Sequence, residues 1–113
     1  MTNTTMKLQI SLFSIALLLG TPVAFGDAAA LYAKNCASCH AKDGSGDTKM
    51  GKKSGAQDYR DAKVQASFSD AEGLKAIKEG VTKEGKEKMK AYGSKVSDAE
   101  AKELLTYIRA FKK

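Results

Sequence analysis

The residues whose types and spacing carry the clearest chemistry are Cys36-Ala37-Ser38-Cys39-His40. Two thiols separated by two residues, with an imidazole directly after the second, have the spacing of a covalent c-type haem attachment site. Each thiol adds across one haem vinyl group to form a thioether, and two intervening residues let one helical turn reach both vinyls. The next residue then lies under the iron, so His40 becomes the proximal ligand. Iron held this way takes its properties from the second axial ligand, from burial and from nearby hydrogen bonds.

Other readings of these five residues are weaker. A thioredoxin-like redox pair belongs after a strand in a βαβ pattern, and no strand-like alternation precedes Cys36. A structural zinc site takes four protein ligands, whereas Cys36, Cys39 and His40 are the only Cys and His in the chain. A disulfide across a two-residue gap inside a helix has poor geometry.

With His40 used, no second histidine exists, which excludes a bis-His haem in a monomer. Two methionines follow the motif, Met50 and Met89. Met50 lies ten residues past His40 in a glycine-rich stretch and would have to wrap round the porphyrin edge at once. Met89 follows a helix long enough to line a pocket and precedes the final helix. A lone Met between Lys88 and Lys90 is an odd core filler, so Met89 is read as the distal iron ligand and Met50 as a surface residue. A thioether sulfur is neutral and soft; it favours ferrous over ferric iron and raises the potential.

The elements that must position these groups are helical. Asp27 to about Lys34 is rich in helix formers, with Asp27 favouring the amino-terminal dipole. Leu31 faces inward with Ala28 and Tyr32, and the helix should run into the haem motif and end near His40. Residues 41–57 hold four glycines and four lysines without apolar periodicity and read as a loop. Asp58 to Ser67 is compatible with one short helix. Ser69-Asp70-Ala71-Glu72 is a capping box opening a helix that carries Leu74 and Ile77 and stops at Gly80. Gly80 to Gly93 contains a further internal glycine and reads as a mostly irregular segment. Ser97-Asp98-Ala99-Glu100 repeats the capping box and opens a last helix to about Phe111, with Ala101, Leu104, Leu105, Ile108 and Phe111 on one stripe. The expected architecture is all-α, three or more helices around one haem.

The chain has 113 residues, a net charge of +6, one proline and no tryptophan, enough for one small domain. Leu8 to Gly20 is an uncharged apolar run after Lys7, followed by Thr21-Pro22 and the small-x-small site Ala24-Phe25-Gly26. This is the plan of a secretory signal peptide over 1–26, cleaved before Asp27; the run is short of the ~20 residues a spanning helix needs. Residues 27–113 then form the haem domain, exported to the periplasm, without stable membrane insertion. A chain this short buries only about 60% of its unfolded surface, so covalent haem would serve as its core and staple.

LYAKNCASCH, a Met in KMKAYG, and a final SDAEAKELLTYIRAF together resemble a class I c-type cytochrome of the small bacterial kind, over the whole of 27–113. The resemblance implies that Cys36 and Cys39 carry the haem, that His40 and Met89 are axial, and that the first and last helices cross. Leu31 and Tyr32 would there meet Leu104, Tyr107 and Ile108. Two departures stand out: Lys90 follows Met89 where the family commonly has Pro, and the loop after His40 has no Pro. The resemblance thus supplies neither what stiffens the Met89 loop nor which carbonyl accepts from His40.

Between Lys75 and Lys95 seven lysines face only Glu79, Glu84 and Glu87, a rim that would steer redox partners with acidic docking surfaces. The interleaved glutamates also suit an ordinary solvated face. Nucleic acid is a poor partner, since no reading motif accompanies the basic balance. Tyr59 and Tyr92 are pocket candidates, each equally suited to ordinary core or surface. The expected function is a monomeric one-electron carrier, not an enzyme, because no nucleophile–base or acid–base constellation is present. The alternatives are a haem-based sensor with an open distal site, and a peroxidase, which usually pairs two haems where this chain has one motif.

Overall fold

The computed structural model describes residues 25–113. The leader expected over 1–26 lies outside the described residues, apart from its last two positions. Six helices and one hairpin follow in order: α1 Phe25–Asn35, α2 Ala37–His40, α3 Lys49–Ser54, α4 Ala62–Ala66, α5 Asp70–Glu79, β1 Val81–Lys83, β2 Lys86–Met89 and α6 Asp98–Arg109. Among the described residues no helix is long and apolar enough to cross a membrane.

Local chemistry sets the helix starts. Ser69 accepts from the Glu72 amide while the Glu72 carboxylate accepts from the Ser69 amide, and Ser97 with Glu100 repeats the arrangement. Each box satisfies two amides that the first helical turn leaves free. α1 places Asp27 in its first turn and Lys34 in its last, both favourable to the helix dipole.

The core is the meeting of α1, α5 and α6. Tyr32 and Leu104 are its most deeply buried large side chains, joined by Ile77, Val96, Ala101, Leu105 and Ile108. The Tyr32 ring lies 5.1 Å from Tyr107, a partner expected at the crossing of α1 and α6, and 5.3 Å from Phe111, which lies just past the end of α6 and is not among those expected there. Gln65 is also buried. Its amide donates to the carbonyls of Tyr59 (2.7 Å) and Ile108 (2.9 Å), and its side-chain oxygen accepts from Arg109 (3.0 Å). Every polar atom of that side chain is thereby satisfied, as burial requires.

Two segments differ from the sequence expectation. The stretch 41–57 is not all loop: Thr48 caps α3 by accepting from the Gly51 amide at 2.8 Å, and Gly55 ends it at φ 77°. The segment from Gly80 to Gly93 is not mostly irregular, because β1 and β2 pair antiparallel within it. Glu84 and Gly85 form the two-residue tip with φ of 53° and 75°, the positive pair that a type I′ hairpin turn requires.

Candidate haem site

α1 and α2 are nearly one helix. The Cys36 amide donates to the Tyr32 carbonyl and the His40 amide to the Cys36 carbonyl, both at 2.9 Å. Ala41 ends α2 at φ 63°, ψ 161°. The carbonyls at the end of α2 then find partners in the following loop. The Gly46 amide donates to His40 at 2.8 Å, and the Thr48 hydroxyl donates to Ser38 at 2.8 Å and Cys39 at 3.1 Å. The glycine-rich loop is thus bound to the turn that carries the cysteines and histidine.

Met89 ends β2, far along the chain from His40, yet Cys36, His40 and Met89 line a single cleft. Its wall is apolar, built from Ile77 of α5, Val96, and Leu104 and Ile108 of α6. Asn35 and Tyr92 complete the lining. Cys39 is half-buried on α2 and is not part of that wall. Met50 is 56% exposed on α3, as expected of a surface residue.

The electrostatics follow burial. His40 titrates below the ordinary histidine range because burial disfavours its charged form, and its Nδ1 is buried with no hydrogen-bond partner. Burial, with Cys39 close by, pushes the Cys36 thiol up to about 11. The Tyr59 ring lies 5.3 Å from the His40 ring, tilted by 35°, and burial raises its phenol. Of the two tyrosines singled out in the sequence, Tyr92 therefore lines the cleft and Tyr59 covers the imidazole.

An imidazole and a thioether on one apolar cleft, beside two free thiols on adjoining turns, make a donor set that fits an iron porphyrin. A metal-bound imidazole normally donates its other N–H to a carbonyl or carboxylate; Nδ1 of His40 has no such partner. Among the described residues no cluster of three or more His, Cys, Asp or Glu side chains would hold a bare metal ion. Asn35, Val96, Leu104 and Ile108 had no individual signal as cleft residues; helical spacing marks Leu104 and Ile108 only as buried.

Comparison with known proteins shows the family. Residues 24–108 match the family described as cytochrome c oxidase, cbb3-type, subunit III. The solved structure of the KustC0563 c-type cytochrome superposes with a TM-score of 0.69 and is 36% identical, covering 77% of this chain and 99% of its own. The structure of a Kustc0563 mutant gives 0.66 and 34%, covering 76% and 99%. No curated protein matches the chain. The chain is thus a small c-type cytochrome and belongs to the family of cytochrome c oxidase, cbb3-type, subunit III.

Proposed function

We propose that this protein is an exported, monomeric one-electron carrier. It would hold one haem c through thioethers to Cys36 and Cys39, with His40 and Met89 as axial ligands. Haem-based electron transfer is the chemistry of the c-type cytochromes, typically as carriers rather than enzymes. The observation that carries the finer reading is the convergence of His40 and Met89 on one apolar cleft.

The bound haem supplies a ferrous–ferric couple. This chain's residues set how that couple behaves. Met89 offers a neutral sulfur, which favours the ferrous state. Ile77, Val96, Leu104 and Ile108 exclude water from the cleft, and two retained axial ligands leave little to reorganise on electron transfer.

The hairpin and the chain beyond it support an acidic redox partner. Lys83, Lys86, Lys90 and Lys95 are exposed close in sequence to Met89, with Glu84 and Glu87 among them. Such a rim raises encounter rates with an acidic surface and makes them fall with salt. Export to the periplasm rests on the leader-like residues 1–26 alone.

Exposure of the ferrous holoprotein to carbon monoxide tests the reading. Slow, weak binding is expected of an iron with both axial positions filled. Rapid, tight binding would mean an open distal site and a sensor or ligand binder instead.

A further inference from the structure

The Met89 loop lacks the proline common in its family, and Lys90 fixes no backbone torsion. A helix leaves its last carbonyls without intrahelical partners. Here the Ala76 carbonyl accepts from the Gly80 amide at 2.9 Å, Ile77 accepts from Tyr92 at 2.9 Å, and Lys78 accepts from Gly93 at 3.1 Å. The segment carrying Met89 is therefore laid back on the helix from which the hairpin departs. Val81 pairs with Met89 across the hairpin, with an irregularity before Thr82.

That close approach depends on Gly80. It sits at φ 77°, ψ −174°, a region that side-chain-bearing residues enter only under strain. A Cβ at this position would stand 2.5 Å from the Met89 carbonyl oxygen and 2.9 Å from the Ala91 nitrogen. Both are backbone atoms, so no rotamer change relieves the collision. Gly93 repeats the contact from the other side, where a Cβ would meet the Lys78 carbonyl oxygen at 2.7 Å. Gly85 at the hairpin tip has a similar φ, 75°, but nothing within 4 Å of its Cβ position.

We propose that Gly80 is the positioning residue for Met89: its missing side chain lets the Met89–Ala91 backbone rest on the end of α5, which aims the sulfur into the cleft shared with His40. The inference rests on the proposal that Met89 is the distal iron ligand. Gly80 touches no reacting group and acts through the backbone it supports.

Four holoprotein variants separate the possibilities: Met89→Ala, Gly80→Ala, Gly93→Ala and Gly85→Ala. The readouts are the near-red sulfur-to-iron band of the ferric form and the reduction potential. Met89→Ala should lose the band and fall in potential. Gly80→Ala should follow it in both, Gly93→Ala should weaken the band, and Gly85→Ala should keep the wild-type spectrum. A folded Gly80→Ala with the wild-type band and potential, beside a Met89→Ala that has lost both, overturns the inference. Equal loss in Gly85→Ala overturns it too, because backbone strain alone would then suffice. Should Gly80→Ala fail to fold, a wild-type band in Gly93→Ala is the contrary result. A Met89→Ala that keeps the band removes the axial assignment itself.

Discussion

The Tyr32 hydroxyl donates a 2.6 Å hydrogen bond to the carbonyl of Ala41, the residue directly after His40. Ala41 holds φ 63°, ψ 161°, a conformation that costs a side-chain-bearing residue about 1–3 kcal/mol. Tyr32 is 2% exposed, and its phenol is driven well above the ordinary tyrosine range, first by burial and then by Cys36. It therefore remains a neutral donor, and the bond offsets the strain at the turn that stops α2 beside His40. Tyr32→Phe should destabilise the holoprotein by about 1–2 kcal/mol, the cost of leaving a part-buried carbonyl unpaired. Ala41→Gly in that background should recover much of the loss, because glycine enters this region freely. Denaturant unfolding measures both, and an unchanged midpoint for Tyr32→Phe would deny the bond this role.

Arg109 clamps α6 to the turn before α5. Its guanidinium donates to the Gln65 carbonyl at 2.5 Å, the Phe68 carbonyl at 2.8 Å and the Asp70 carboxylate at 2.9 Å, and it lies 4.1 Å over the Phe68 ring. A planar fork serves these acceptors together, and a lysine ammonium does not. Arg109→Lys should cost about 1–3 kcal/mol, read by thermal unfolding. A variant within about 0.5 kcal/mol of wild type, the ordinary surface range, would reduce the clamp to a surface contact.

Leu104 and Met50 make an opposed pair. Leu104 is 2% exposed and forms both core and cleft wall, so Leu104→Ala should cost about 2–5 kcal/mol through lost burial and a cavity. Met50 is 56% exposed; Met50→Ala should stay within about 0.5 kcal/mol and leave the haem spectrum unchanged. A spectral change in Met50→Ala would reopen the choice of distal ligand.

Lys78 at the end of α5 pairs with Asp98 at the start of α6. Its hydrogen bond, followed by its charge, holds the Asp98 carboxyl below the usual carboxylate range. A depressed folded pKa stabilises the fold above the unfolded pKa and loses that effect as pH falls through the folded value. The melting-temperature difference between wild type and Asp98→Asn should thus be largest at neutral pH and low salt. It should shrink below about pH 4 and with added salt. A difference indifferent to pH would assign the loss to something other than the Asp98 charge.

What was legible in the sequence was local chemistry. Ser69 and Ser97 each stand three residues before a glutamate, and the reciprocal bonds they form need nothing from the rest of the chain. Cys36, Cys39 and His40 share the α1–α2 turn for the same reason. The hairpin was not legible, because Thr82 to Glu87 is exposed and polar and shows no apolar alternation; only Glu84-Gly85 signals the turn. The hairpin's flanks are secured by the Ile77 and Lys78 carbonyls, a tertiary arrangement invisible in a local window. The burial of Gln65 carries no local signal, because its partners, Arg109 and the Tyr59 and Ile108 carbonyls, come from distant or non-periodic parts of the chain. Met89 was reached by elimination, and its place beside His40 depends on α5 and α6 meeting as they do.

The central claim is that His40 and Met89 share one haem iron, and the near-red absorption of the oxidised holoprotein tests it most directly. A weak sulfur-to-iron charge-transfer band in a low-spin spectrum is the predicted result. With Met50 on the surface, it would identify Met89 as the ligand of an electron carrier. A high-spin spectrum without that band would contradict the account and leave the distal position open to exogenous ligands.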